Sequence, residues 1–170
     1  IAQSGLLSRE AAPNHTSKYS ADRMLYTLDN NADEIRVPLT WQSDDGIRVT
    51  KTFIFKPGDY DISVRHTLTN DSGQTWAGSR YDQLQRAVPG EQDGGSFTNP
   101  SRYSFFGIGF YSPDEKLEKL DFDEVASEPY KRSFPGGWFS MVQHYFFTAW
   151  IPPNEEINSY STQVYSPTGL

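Results

Sequence analysis

The sequence predicts an all-β fold of mainly antiparallel strands, on three observations. Apolar and polar residues alternate over 35–41, 47–56 and 61–69, the period of a strand with one buried face. Turn formers separate these runs at short intervals: Ser43-Asp44-Asp45-Gly46, Pro57-Gly58-Asp59 and Asn70-Asp71-Ser72-Gly73. No strand–helix–strand alternation occurs, so a doubly wound parallel sheet is not expected.

Residues 1–31 are mostly polar and without a firm period, with one strand expected near Met24-Leu25-Tyr26. In 35–41, Ile35, Val37, Leu39 and Trp41 share a face. Pro38 cannot donate to a ladder, which predicts an edge strand or a proline facing away from its partner. The next strand puts Ile47, Val49, Phe53 and Phe55 on one side, and the third turns Ile62, Val64, His66 and Leu68 inward. Residues 75–88 read as strand, and 89–102 as a loop longer than ordinary connections. Strand returns over 103–111, where Gly107 and Gly109 predict a bulge or a close backbone approach. Residues 112–116 form a turn, 117–125 are short and acidic, and 157–165 supply a last strand.

The most aromatic stretch, 136–153, opens on Gly136-Gly137 and closes on Pro152-Pro153. Trp138, Met141 and Val142 at i, i+3, i+4 spacing predict one or two helical turns over 138–143. From Tyr145 the composition predicts a central strand buried on both faces and stopped by Pro152.

The 170 residues are read as a single domain, 1–170, with a formal net charge of −7. No Lys/Arg cluster exceeds Lys131-Arg132, which argues against nucleic acid and against charge-driven binding to anionic lipid. The chain has no cysteine, so disulfides, thiolate metal sites and cysteine nucleophiles are excluded. No apolar run approaches the roughly 20 residues that span a bilayer, and no signal peptide is visible. A start at Ile1 without methionine reads as a piece of a longer polypeptide.

Candidate chemistry is sparse. His15 sits in a polar loop and reads as solvated, and His66 reads as a hydrogen-bonded core imidazole. His144 stands where it can pair with a carboxylate. The acidic set Asp114, Glu115, Glu118, Asp121, Asp123 and Glu124 lacks the ligand order and turn glycine of a calcium loop. Lys116 and Lys119 interleave with it, so a solvated face is expected. Asn14-His15-Thr16 and Asn70-Asp71-Ser72 have the form of glycosylation sequons. Ser79, Ser104 and Ser140 lack a nucleophile elbow, and no phosphate loop or dinucleotide fingerprint is present. The residues thus point to no catalysis, cofactor or metal.

Three motifs carry a resemblance: Lys56-Pro57-Gly58-Asp59-Tyr60, Pro113-Asp114-Glu115-Lys116, and Gly136-Gly137-Trp138 running to Ala149-Trp150-Ile151-Pro152. In this order and spacing, covering nearly the whole chain, they resemble the periplasmic-domain family of YidC, the inner-membrane insertases of Gram-negative bacteria. The resemblance implies a twisted two-sheet β-sandwich, a mutarotase-like super-sandwich with one or two short helices, here lacking its first and last strands. It also implies a membrane-anchored parent chain on the periplasmic face of the inner membrane, acting as insertase or chaperone. The partners implied are the Sec translocon components SecD/SecF and nascent membrane proteins. As partner-binding positions it suggests Tyr111, Asp114, Glu115, Lys116, Lys119 and Trp138. The shape leaves open a carbohydrate-active enzyme, which needs His66 or His144 to meet an acid such as Asp82 or Glu124, or a sugar-binding sandwich.

Overall fold

The computed structural model describes residues 1–87, 105–143 and 145–165. Their secondary structure is almost entirely β, with one short helix, and the residues group into two compact units. One is Ser4–Tyr81; the other combines Ile1–Gln3 with Asp82–Leu170. Strands β1 (Ala2–Ser8) and β6 (Gly78–Leu84) pair with each other, and the division between units falls within both.

The unit Ser4–Tyr81 is built on a sheet of order β2-β3-β4-β5, with β2 (Ser20–Ala21), β3 (Ile35–Gln42), β4 (Ile47–Phe55) and β5 (Ser63–Asn70). Its antiparallel register sets Val37 beside Phe53 and Phe53 beside Val64, then Trp41 beside Val49 and Val49 beside Leu68. The three alternating sets read from the sequence therefore meet on one face. Pro38 lies just outside the two positions where β2 pairs with β3, so it forfeits no bond to β2. Leu6, Ile47 and Val49 form the buried core, packed by Trp41, Leu68 and Trp76; each large side chain buried contributes about 1.5–3 kcal/mol.

Leu6 comes from β1, a strand absent from the sequence reading. Its signal is weak because Ser4 and Gly5 interrupt the apolar pattern, although Ser4 is itself buried. At Gly5 a side chain would meet the Tyr81 ring and hydroxyl at 2.7–2.8 Å, so only glycine admits that packing. The strand expected at Met24-Leu25-Tyr26 is not formed, and Met24 and Leu25 are exposed.

In the other unit, β7 (Phe106–Ser112), β8 (Lys116–Leu120), β10 (Trp138–Gln143) and β11 (Phe146–Trp150) form an antiparallel sheet of order β11-β10-β7-β8. A ribbon of β9 (Lys131–Pro135) and β12 (Ile157–Ser161) accompanies it. Register places Ile108, Phe110, Leu120, Phe139 and Met141 on one face. They pack with Val125, Tyr130 and Tyr160; Phe110 stacks on Tyr130 at 4.1 Å and meets Tyr160 edge-on at 6.3 Å.

Two expectations are corrected in this unit. Residues 138–143 form strand β10, because Phe139 and Met141 alternate toward the core while β7 and β11 bond to either side. The helical spacing of Trp138, Met141 and Val142 is incidental. The segment after Tyr145 is an edge strand, not a central one: β11 ends its sheet, and Tyr145, Phe146 and Phe147 are each more than 70% exposed.

The one helix among the described residues is α1 (Phe122–Ser127), inside the run read as short and acidic. Asp121 caps it, accepting from the Glu124 amide at 2.8 Å, while the Glu124 carboxylate accepts from the Asp121 amide at 2.8 Å. Gly107 and Gly109 mark close approach: a side chain at Gly107 would strike the Leu120 carbonyl, and one at Gly109 would meet Ser140 Oγ at 2.8 Å.

Candidate functional site

The six positions singled out in the sequence gather on the β7–β8 hairpin and its neighbour β10. The hairpin closes between Ser112 and Lys116, where the Ser112 hydroxyl accepts from the Glu115 amide at 3.0 Å. Lys116 adopts φ 65°, and its Nζ donates to the Pro113 carbonyl at 2.6 Å. Asp114, Glu115 and Lys116 thus sit at the tip, on a turn held by its own polar atoms.

Register carries Tyr111 opposite Trp138 and also opposite Leu117. The Tyr111 and Trp138 rings stack at 5.7 Å with planes 8° apart. Because facing residues share a side of the sheet, Leu117, Lys119, Tyr111, Trp138, Val142 and Phe147 all lie on the face opposite the Phe110 core. Leu117 is 49% exposed and Phe147 72% exposed, while Tyr111 and Trp138 are half-buried. The Lys119 ammonium lies 5.2 Å over the Phe105 ring.

Charge gathers at the hairpin tip and on the other side of the sheet, where Glu118 faces Phe110. Arg132 reaches Glu115 at 3.2 Å and Glu118 at 3.9 Å, and the Tyr130 hydroxyl donates to Glu118 at 2.9 Å. Burial first, and then that bond to Glu118, push the Tyr130 phenol well above its ordinary value. Arg132 and Glu115 are about half exposed, so the pair contributes no more than about 1 kcal/mol. The network orders the Phe110 side of the hairpin more than it stabilises the fold, while the apolar face on the other side suits binding.

The histidines give no catalytic assembly among the described residues. His15 is exposed, but its Nδ1 lies 2.7 Å from the Tyr81 hydroxyl, so it is not merely solvated. His66 was expected to be hydrogen-bonded; instead its Nε2 is buried and meets no hydrogen-bond partner among the described residues. Burial, then the positive charges of Lys51 and Arg80, lower its pKa to about 4. Glu124, one of the acids a sugar-active site would need, is spent on the cap of α1. His144, Ser104 and the loop 89–102 lie outside the described residues.

Sequence reasoning missed a second feature, a depression of about 450 Å³ in the unit Ser4–Tyr81, lined by Arg36, Lys56, Arg65, Arg80, His66 and Glu34 among others. No two of its cations are adjacent in the chain, and Arg80 comes from a strand of a different sheet, so only the tertiary structure reveals it.

Comparison with known proteins bears on the whole chain. Residues 1–169 match the family described as the YidC periplasmic domain. The chain is 38% identical to the membrane protein insertase YidC of Thioalkalivibrio sulfidiphilus, covering 96% of this chain and 30% of that protein. It is 36% identical to the namesake of Nitrosococcus oceani, covering 94% and 29%, and 36% identical to that of Methylococcus capsulatus, covering 96% and 30%. The chain therefore spans about 30% of the length of these curated relatives. With a match running from the first strand through the last, this chain belongs to the YidC periplasmic-domain family.

Proposed function

We propose that the chain is a non-catalytic interaction module on the periplasmic face of the bacterial inner membrane, belonging to a membrane-anchored insertase. In this reading residues 1–170 act as one domain that assists the insertion and folding of membrane proteins. It docks Sec translocon components such as SecD/SecF, or shelters emerging segments of client proteins. One observation supports this beyond family membership: an apolar face runs across all four strands from Leu117 through the Tyr111–Trp138 stack to Phe147, exposed at both ends. Exposed apolar patches rimmed by polar residues are the usual mark of an interaction surface. The outer edge of β11, which pairs with no further strand among the described residues, offers backbone groups to which an extended segment can pair. The chain's net negative charge limits nonspecific association elsewhere.

The test is capture of purified SecD/SecF by the wild-type chain and by a variant carrying Asp114→Lys, Glu115→Lys, Lys116→Glu and Lys119→Glu. The ion pair at Glu115 is exposed, so the variant should fold with little loss of stability. Capture is expected to fall at least about tenfold, a change of about 1.4 kcal/mol. Undiminished capture removes the hairpin face from the proposal.

A further inference from the structure

The outer edge of β11 has no partner strand among the described residues. We propose that it pairs, antiparallel, with β11 of a second copy of this chain, giving a reversible dimer. This goes beyond the docking of translocon components or clients and does not depend on it. The dimer occupies the edge that an extended segment would take, so the two compete.

Edge strands are normally guarded against such pairing by charge or proline. At the other end of the same sheet β8 has that guard, with Lys116, Glu118 and Lys119 in a short strand. β5, which ends the sheet of the unit Ser4–Tyr81, carries Arg65 and His66. β11 has no such guard. From Tyr145 to Ile151 the chain reads Tyr-Phe-Phe-Thr-Ala-Trp-Ile, without a charge or a proline. Tyr145, Phe146, Phe147 and Ile151 are all exposed.

Self-complementarity identifies the occupant. Thr148 is the midpoint of the uncharged run, so antiparallel pairing about it aligns the whole run with itself. Phe147 then faces the partner's Ala149, large against small, and Phe146 faces the partner's Trp150. Within each copy the Trp150 ring is held by its Nε1, which donates to the Gln83 carbonyl at 3.2 Å. Two-fold symmetry makes each contact twice. No charge is set against another along the edge, although the chain carries −7 overall. The exposed rings of two copies, with the paired backbone, bury about 1,000 Å², the low end for a specific interface, so the dimer is concentration-dependent. The copies continue one sheet, and their Leu117–Phe147 faces join on the same side.

The experiment measures the mass of the whole chain by sedimentation equilibrium over a concentration series, for wild type and Thr148→Lys. Thr148 is exposed, so the variant should keep its unfolding temperature, while the lysines set like charges opposite each other at the two-fold axis. The wild-type mass should rise reversibly toward that of two chains, and the variant should associate at least about tenfold more weakly. A second arm uses Thr148→Cys in a chain with no cysteine of its own. Facing residues of an antiparallel pair have Cα atoms about 4.5–5.5 Å apart, within disulfide range, so oxidation should link two copies. Met24→Cys, at a still more exposed position, should not link. A wild-type mass of one chain at every concentration, undiminished association of Thr148→Lys, or equal linking by Met24→Cys overturns the proposal. No Sec component or client is present, so the result stands apart from the capture assay.

Discussion

Gly137 has φ +81°, and a side chain built on it would collide with the Tyr111 carbonyl and with the Phe134 ring at 2.6 Å. Gly58 has φ +79° with nothing within 4 Å. Both conformations disfavour an L side chain, but only Gly137 adds a clash with backbone and a packed ring. Gly137→Ala should therefore cost about 3 kcal/mol or more, and Gly58→Ala about 1 kcal/mol, read from denaturant unfolding. His66 makes a second claim at this scale. Its lowered pKa means that the unfolded chain takes the proton first, near pH 6.5, while the folded chain resists until about 4. Stability is then full above pH 6.5 and lost as pH falls toward 4, by about 1–2 kcal/mol after allowing for the ring's partial exposure. His66→Gln should flatten that part of the stability–pH curve. The inward phase of His66 was legible from its alternation with Val64 and Leu68. Its cationic surroundings were not, because Lys51 reaches it through the pairing of β4 with β5 and Arg80 acts on it from β6, a strand of another sheet.

At the scale of elements, alternation was a sound guide where one face of a strand is buried along its length. β3, β4 and β5 are the clearest cases, and their turns fall where glycine and asparagine mark them. It failed where apolar residues crowd both faces. In β10 the run Trp138-Phe139-Ser140-Met141-Val142 fits a helix and a strand about equally well, and only the bonds to β7 and β11 decide. α1 was hidden for a different reason: its signal is the capping box of Asp121 and Glu124, which in sequence looks like two more acids of a charged run. The box makes a measurable contribution. Asp121→Ala should cost about 1 kcal/mol and lower the unfolding temperature by a few degrees. Val125, buried in the same helix against the Phe110 cluster, explains why so short a helix persists.

For the whole molecule, family membership was readable from three motifs, and the comparisons bear it out along the chain. The surfaces were less legible. The face that joins Leu117, Tyr111, Trp138 and Phe147 draws on four strands and on residues up to 36 positions apart, and the basic depression on residues from Glu34 to Arg80. Neither leaves a local trace that composition or spacing can detect. The central claim is that the exposed face of the β11-β10-β7-β8 sheet is where partners dock. Its most direct test places a photo-crosslinking residue at Leu117, at Phe147 and, as a more accessible control, at Met24 in the full-length parent protein in cells. Adducts with Sec components or membrane-protein clients from Leu117 and Phe147, and none from Met24, are the result predicted here. Adducts from Met24 with none from the sheet face would contradict it.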